Sequence, residues 1–148
     1  MKRFILIVSV VALTFGAVPI AQAGTPITKL TVVANGANER PNLGSKTGTA
    51  AGSFIINIVK NTFCYSNVRT RGLNNIIGTH VHLGASGIDG SIFIWIDISK
   101  LNKPGLSCVK VGHLVLLDIA KYPSDYYFNV HTKTFPGGAV RGQLKKIS

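Results

Sequence analysis

The sequence predicts an all-β protein, an antiparallel Greek-key sandwich or barrel with one short helix. Three observations predict it. Apolar and polar residues alternate with period two over several short runs. Clusters of Gly, Asn and Pro break those runs roughly every 8–12 residues. A single stretch carries helical spacing.

The chain opens Met1-Lys2-Arg3, runs apolar from Phe4 to about Ile20, and continues Ala21-Gln22-Ala23. A basic start, an apolar core and an Ala-x-Ala site form the pattern of a secretory signal peptide spanning 1–23 and cut after Ala23. Residues 24–148 then make one domain, long enough for its own core. The expected location is the periplasm or outside the cell.

Lys29 to Ala34 reads as a strand, followed by a Gly/Asn/Pro-rich loop over Asn35 to Thr47. Gly48 to Lys60 and Thr62 to Arg71 are the next strands, the latter setting Phe63, Tyr65, Asn67 and Arg69 against Cys64, Ser66, Val68 and Thr70. Ile77 to Leu83 is a strand, and Gly84 to Gly90 is a tight glycine-rich connection. Ser91 to Ile98 is apolar at nearly every position, the signature of a central strand covered on both faces. Cys108 to Val111 is short and extended. The helix runs from His113 to Tyr122, with Leu114, Leu117 and Ala120 on one face, Lys121 suited to its C-terminal end and Pro123 beyond it. His113 starts that helix at the surface.

The chain ends in a hairpin, Asp125 to Leu144, turned by Phe135-Pro136-Gly137-Gly138. Its alternation sets Tyr126, Phe128 and Val130 on a greasy face. Asn129, His131, Arg141 and Gln143 fall on a polar face.

Cys64 and Cys108 are the two cysteines. An even count in an exported chain suggests a disulfide between them. A pair of metal-binding thiolates would need further ligands close in sequence, and no CxxC spacing is present.

His80-Val81-His82 puts two imidazoles on one strand face, about 6.6 Å apart along the strand. That spacing allows both to converge on one metal ion, while Val81 points into the core. His131, on the hairpin's polar face, is the third ligand of such a site, and copper or zinc would suit it. The same residues can instead form a polar network of His80, His82, Asn129, His131, Arg141 and Gln143 with Glu39, or meet solvent. Glu39 is either a solvated loop carboxylate or the partner of Arg141 or of a histidine.

The strings THVHLGASGIDGSIFI and YYFNVHTKTFPGGAVRGQL resemble the two signature blocks of the CHRD domain, named after chordin. The family pattern is close to H-I-H-x-G-x-x-G-x-x-G-x-V, then Y-x-N-V-H-T-x-x-x-P-x-G-x-I-R-G-Q-L. It falls here on His80, His82, Gly84, Gly87 and Gly90, then on Tyr127, Asn129, His131, Pro136, Gly138, Arg141, Gly142 and Gln143. Upstream, Leu30, Gly36, Glu39 and Pro41 match a further block in part, with Arg40 and Asn42 departing from it. The resemblance implies a β-rich fold and, for small bacterial members, export, a disulfide at the positions of Cys64 and Cys108, and no established reaction. The His-Val-His strand is also similar to the copper strand of copper–zinc superoxide dismutase. That enzyme's zinc-loop residues have no counterpart here.

The chain carries 16 Lys and Arg against five Asp and Glu. After Ala23, fourteen basic residues remain against those five, a formal charge of +9. Such a charge serves solubility and favours anionic partners, a lipid or a glycan. The lysines and arginines are scattered and form no specific nucleic-acid motif. So few carboxylates leave little for general acid–base chemistry. The leading reading is a non-enzymatic exported protein that binds an unidentified protein or envelope component, or has a structural role there. The alternative is a copper or zinc protein built on the three histidines, redox-active in a superoxide-dismutase-like way.

Overall fold

The computed structural model describes residues 26–147. The expected signal peptide, 1–23, and the expected cleavage after Ala23 lie outside the described residues. Among those described, nine strands and one helix follow in order: β1 (Ile27–Asn35), β2 (Thr49–Asn57), β3 (Thr62–Arg71), β4 (Ile76–Leu83), β5 (Ile92–Trp95), β6 (Leu106–Lys110), α1 (His113–Lys121), β7 (Tyr126–Thr132), β8 (Val140–Gln143) and β9 (Lys145–Lys146). All pairings are antiparallel, in one sheet ordered β5-β4-β7-β8-β1-β2-β3-β6, with β9 continuing beside β1. The sheet curls into a half barrel around a single core. No described helix is long and apolar enough to cross a membrane.

Alternation builds that core. Leu30, Val32 and Ala34 of β1 face inward with Phe54 and Ile56 of β2, Val81 of β4, Phe128 and Val130 of β7 and Val140 of β8. Phe54 touches both Phe63 and Phe128, so one ring ties three strands together. Simple alternation fails within β3. The register slips between Ala51 and Ser53, and Asn67 takes a φ of 51°. This bulge turns Val68 inward, on the same side as Tyr65, although the pattern set the two opposite.

Two expectations need correcting. The Ser91 to Ile98 stretch is not a central strand covered on both faces. Its ordered part, β5, is the sheet's edge, and Trp95 stays 66% exposed. Continuous hydrophobicity there reflects a strand that covers a site rather than one enclosed by neighbours. The helix is where its spacing puts it, but Leu116 and Ile119 are the buried residues. Of the stripe the spacing marks, Ala120 packs partly against the core while Leu114 and Leu117 stay exposed, because α1 lies over the end of the half barrel instead of packing its most regular stripe inward.

Cys64 and Cys108 are direct partners across β3 and β6 and form the disulfide, clipping an edge strand to the sheet. The cystine closes a loop spanning 44 residues. Replacing both cysteines with alanine should cost about 4 kcal/mol on the chain-entropy account. Urea melts of the two forms measure it, and matching midpoints would show that β6 needs no clip.

Candidate functional site

The outward face of β7 is not a wet face. Tyr127 and Asn129 are buried, and His131 is half-buried. Two loops cover them. One spans residues 36–45 and is tied down by Gly44 N–H donating to Gly36 and Ser45 N–H donating to Ala139. The other is the glycine-rich connection 84–90.

Glu39 is carried into the sheet by the first loop and is 2% exposed. Two glycines make its slot. A Cβ on Gly138, whose φ is +140°, would land on the Glu39 carboxylate, and one on Gly44 would meet its Cγ. Glu39 Oε1 accepts from Asn129 Nδ2 at 2.7 Å. It is therefore neither a solvated carboxylate nor the direct partner of a histidine, and its link to Arg141 is through space. Burial pushes its carboxyl up to about 7, against the pull of Arg141.

Arg141 is 1% exposed. Its Nη2 donates to the carbonyls of Ala85 and Ile88 at 2.8 and 2.7 Å, and its guanidinium lies 3.5 Å over the Tyr127 ring. Gln143 Nε2 donates to Gly84 at 2.9 Å and Ser124 at 2.7 Å. These two side chains hold the 84–90 loop onto β8. Asp89 accepts from the Tyr127 hydroxyl at 3.0 Å, and Gly90 N–H donates to that hydroxyl at 3.2 Å.

On this platform stand the three histidines. β4 pairs with β7, setting His80 opposite Asn129 and Gly78 opposite His131. One ring nitrogen from each of His80, His82 and His131 lies within 4.8 Å of the others. His82 Nδ1 contacts the Gly90 carbonyl at 2.9 Å, and His131 Nδ1 contacts the Pro136 carbonyl at 2.9 Å. A carbonyl only accepts, so both Nδ1 atoms carry the proton and both Nε2 lone pairs are free. His82 Nε2, His131 Nε2 and both nitrogens of His80 are buried without a partner. Burial, then repulsion from His131 and His82, pushes His80 down to about 4. Burial also lowers His82.

The surroundings fix the rings. Tyr127 stacks on His82 at 4.6 Å and 9° between planes, and Trp95 meets His80 edge-on at 4.1 Å. Since β4 and β8 flank β7, the Tyr127 ring receives His82 from one neighbour and Arg141 from the other. His113 lies apart, at the start of α1 beside Asn61. The polar residues Asn129, Arg141, Gln143 and Glu39 do contact the loops and one another, but they leave the three free imidazole nitrogens unpaired. Sequence reasoning passed over Trp95, Asp89 and the carbonyls of Gly90 and Pro136. Trp95 looked like core. The carbonyls carry no side-chain signal, and only the short glycine-rich loops hinted that backbone comes close.

The family model of the CHRD domain matches residues 30–144. No curated protein and no solved structure matches the chain.

Two stability predictions follow from this geometry. Arg141→Ala removes two hydrogen bonds to buried carbonyls and the cover on Tyr127. It should cost about 3 kcal/mol or more in a urea melt, with Arg141→Lys a poor rescue because an ammonium lacks the planar face that lies on Tyr127. For Glu39 the folded value of about 7 lies above the ordinary 4.5, so the fold prefers the protonated acid. That contribution is present below pH 4.5 and is lost as pH rises through about 7. Glu39→Gln, which cannot ionise, should therefore gain stability relative to the parent by on the order of 2 kcal/mol between pH 5 and pH 8. A constant difference across that range would place the Glu39 carboxylate in water.

Proposed function

We propose that this chain, which belongs to the CHRD domain family, is an exported protein that binds one copper or zinc ion through His80, His82 and His131. The observation that carries the reading is the convergence of three imidazoles with their free nitrogens unpaired. Leaving several buried acceptors unsatisfied is costly, and the histidines hold four of the six buried side-chain atoms without a partner among the described residues, Asn129 Oδ1 and Arg141 Nη1 being the others. A shared ion would satisfy all three at once.

The donor set fits. Ring nitrogens bound about 2 Å from one ion stand roughly 3.5 Å apart, so modest ring rotations close the gap from 4.8 Å. Metal binding needs neutral imidazole, and the depressed His80 and His82 supply it without first losing a proton. Carbonyl acceptors behind His82 and His131 preset their tautomers. Three imidazoles leave a fourth position for water or a small ligand. The basic start, apolar run and Ala-x-Ala site support export, and a disulfide suits an oxidising compartment.

Protein isolated from the periplasm or medium should begin at Gly24 and carry one metal equivalent per chain. Titration with Cu(II) or Zn(II) should show one strong site, weakened about 100-fold or more by His82→Ala. Equal affinity in parent and variant would remove the histidines from any metal role.

A further inference from the structure

The open face of α1 carries the inference, at the end of the half barrel away from the histidines' strand pair. Leu114 is 78% exposed, and Leu117 follows one turn later on the same face. Leu117, Ala120 and Lys121 line a groove of about 620 Å³ whose opposite wall is Ile58 and Val59 from the end of β2. Val59 is 77% exposed. His113 bonds Asn61 at 3.0 Å, which ties the start of the helix to the β2–β3 turn. Tyr122 and Ile147 extend it, each nearly half exposed.

Lysines ring this apolar patch. Lys146 and Lys121 line the groove itself. Lys110 donates its ammonium to the carbonyl of Lys60 at 2.8 Å, which sets one more cation at the β2–β3 turn. The acid on the helix, Asp118, is occupied by the Tyr126 hydroxyl at 2.6 Å.

We infer that this face is a membrane-surface site that takes anionic phospholipid, headgroup phosphates on the lysine rim and the outer acyl region on Leu114, Leu117 and Val59. An apolar patch of this kind marks an interaction surface, and a cationic rim selects its partner by charge. A second copy of the chain would bring these lysines against their own copies and is disfavoured. A polyanionic glycan would use the lysines and ignore the leucines. Phospholipid is the partner that uses both, as in surface-lying amphipathic helices. The inference is independent of any metal at the histidines.

The experiment is sedimentation of the exported protein with phosphatidylglycerol/phosphatidylcholine vesicles, against pure phosphatidylcholine, at low and at 0.5 M salt. Binding is expected only with the anionic lipid and should fall with salt. Lys121→Gln with Lys146→Gln should weaken it by roughly fivefold per lysine. Leu114→Asp with Leu117→Asp should abolish it, while Lys100→Gln with Lys103→Gln, outside the patch, should leave it unchanged. Both leucines are exposed, and an unchanged melting temperature separates lost binding from lost folding. Any of three results would overturn the inference: binding that survives the leucine changes, equal loss from the Lys100/Lys103 pair, or binding to heparin but not to vesicles.

Discussion

The hold of Arg141 on the 84–90 loop is the contact on which the rest of the site depends. Its Nη2 takes two carbonyls, those of Ala85 and Ile88. A guanidinium can do this because one terminal nitrogen carries two N–H donors, and a buried cation needs acceptors close by. The loop so fixed presents Gly90 at one point in space. Gly90 then sets two things at once: its carbonyl holds His82, and its N–H holds the Tyr127 hydroxyl. Tyr127 in turn stacks on His82 and lies under Arg141. The arrangement is a closed circuit of cation, loop, phenol and imidazole. Displacing any member loosens the ring that must point its Nε2 at its neighbours.

Closure of the circuit explains why the outward side of β7 is dry. Sheet faces that look polar usually meet water. Here the polar residues are buried because two loops bring their own acceptors and donors down onto them. Glycine makes the approach feasible. A Cβ on Gly90 would collide with the Leu83 carbonyl, and one on Gly138 with Glu39. The glycines of both turns therefore act at a distance from the chemistry, by letting backbone and a carboxyl reach the sheet.

Period-two alternation made most of the strands legible, together with the inward placement of Val81 and Val130. The histidine spacing made the shared face of His80 and His82 legible in the same way. What stayed hidden has physical causes. The bulge at Asn67 resets alternation with no glycine in β3 itself to mark it, the glycine opposite being Gly52 of β2. β5 is as apolar as a central strand yet lies at an edge, because its exposed Trp95 shields His80. Glu39 sits in a loop that reads as solvent-exposed, and only the long-range return of residues 36–45 onto β8 buries it. In α1 the regular apolar stripe is the uncovered one. Helical spacing identifies a face but not the side on which the rest of the chain lies.

The choice of acceptors behind the histidines fits the composition of the chain. With five acidic residues in 148, the chain has few carboxylates to orient imidazoles. Backbone carbonyls do it instead, from Gly90 and Pro136. A carbonyl fixes the tautomer as well as a carboxylate does, but it adds no negative charge. Burial, joined by repulsion from its two neighbours, pulls His80 far below its ordinary value, and burial outweighs the pull of Asp89 and the Gly90 carbonyl to lower His82 as well. The nearby carboxyls serve other ends: Asp89 accepts the Tyr127 hydroxyl, and Glu39 holds Asn129. A strongly basic protein thus keeps a pocket of neutral nitrogen donors. That is the protonation state a divalent or monovalent soft cation requires, maintained by packing and backbone geometry without a counter-charge.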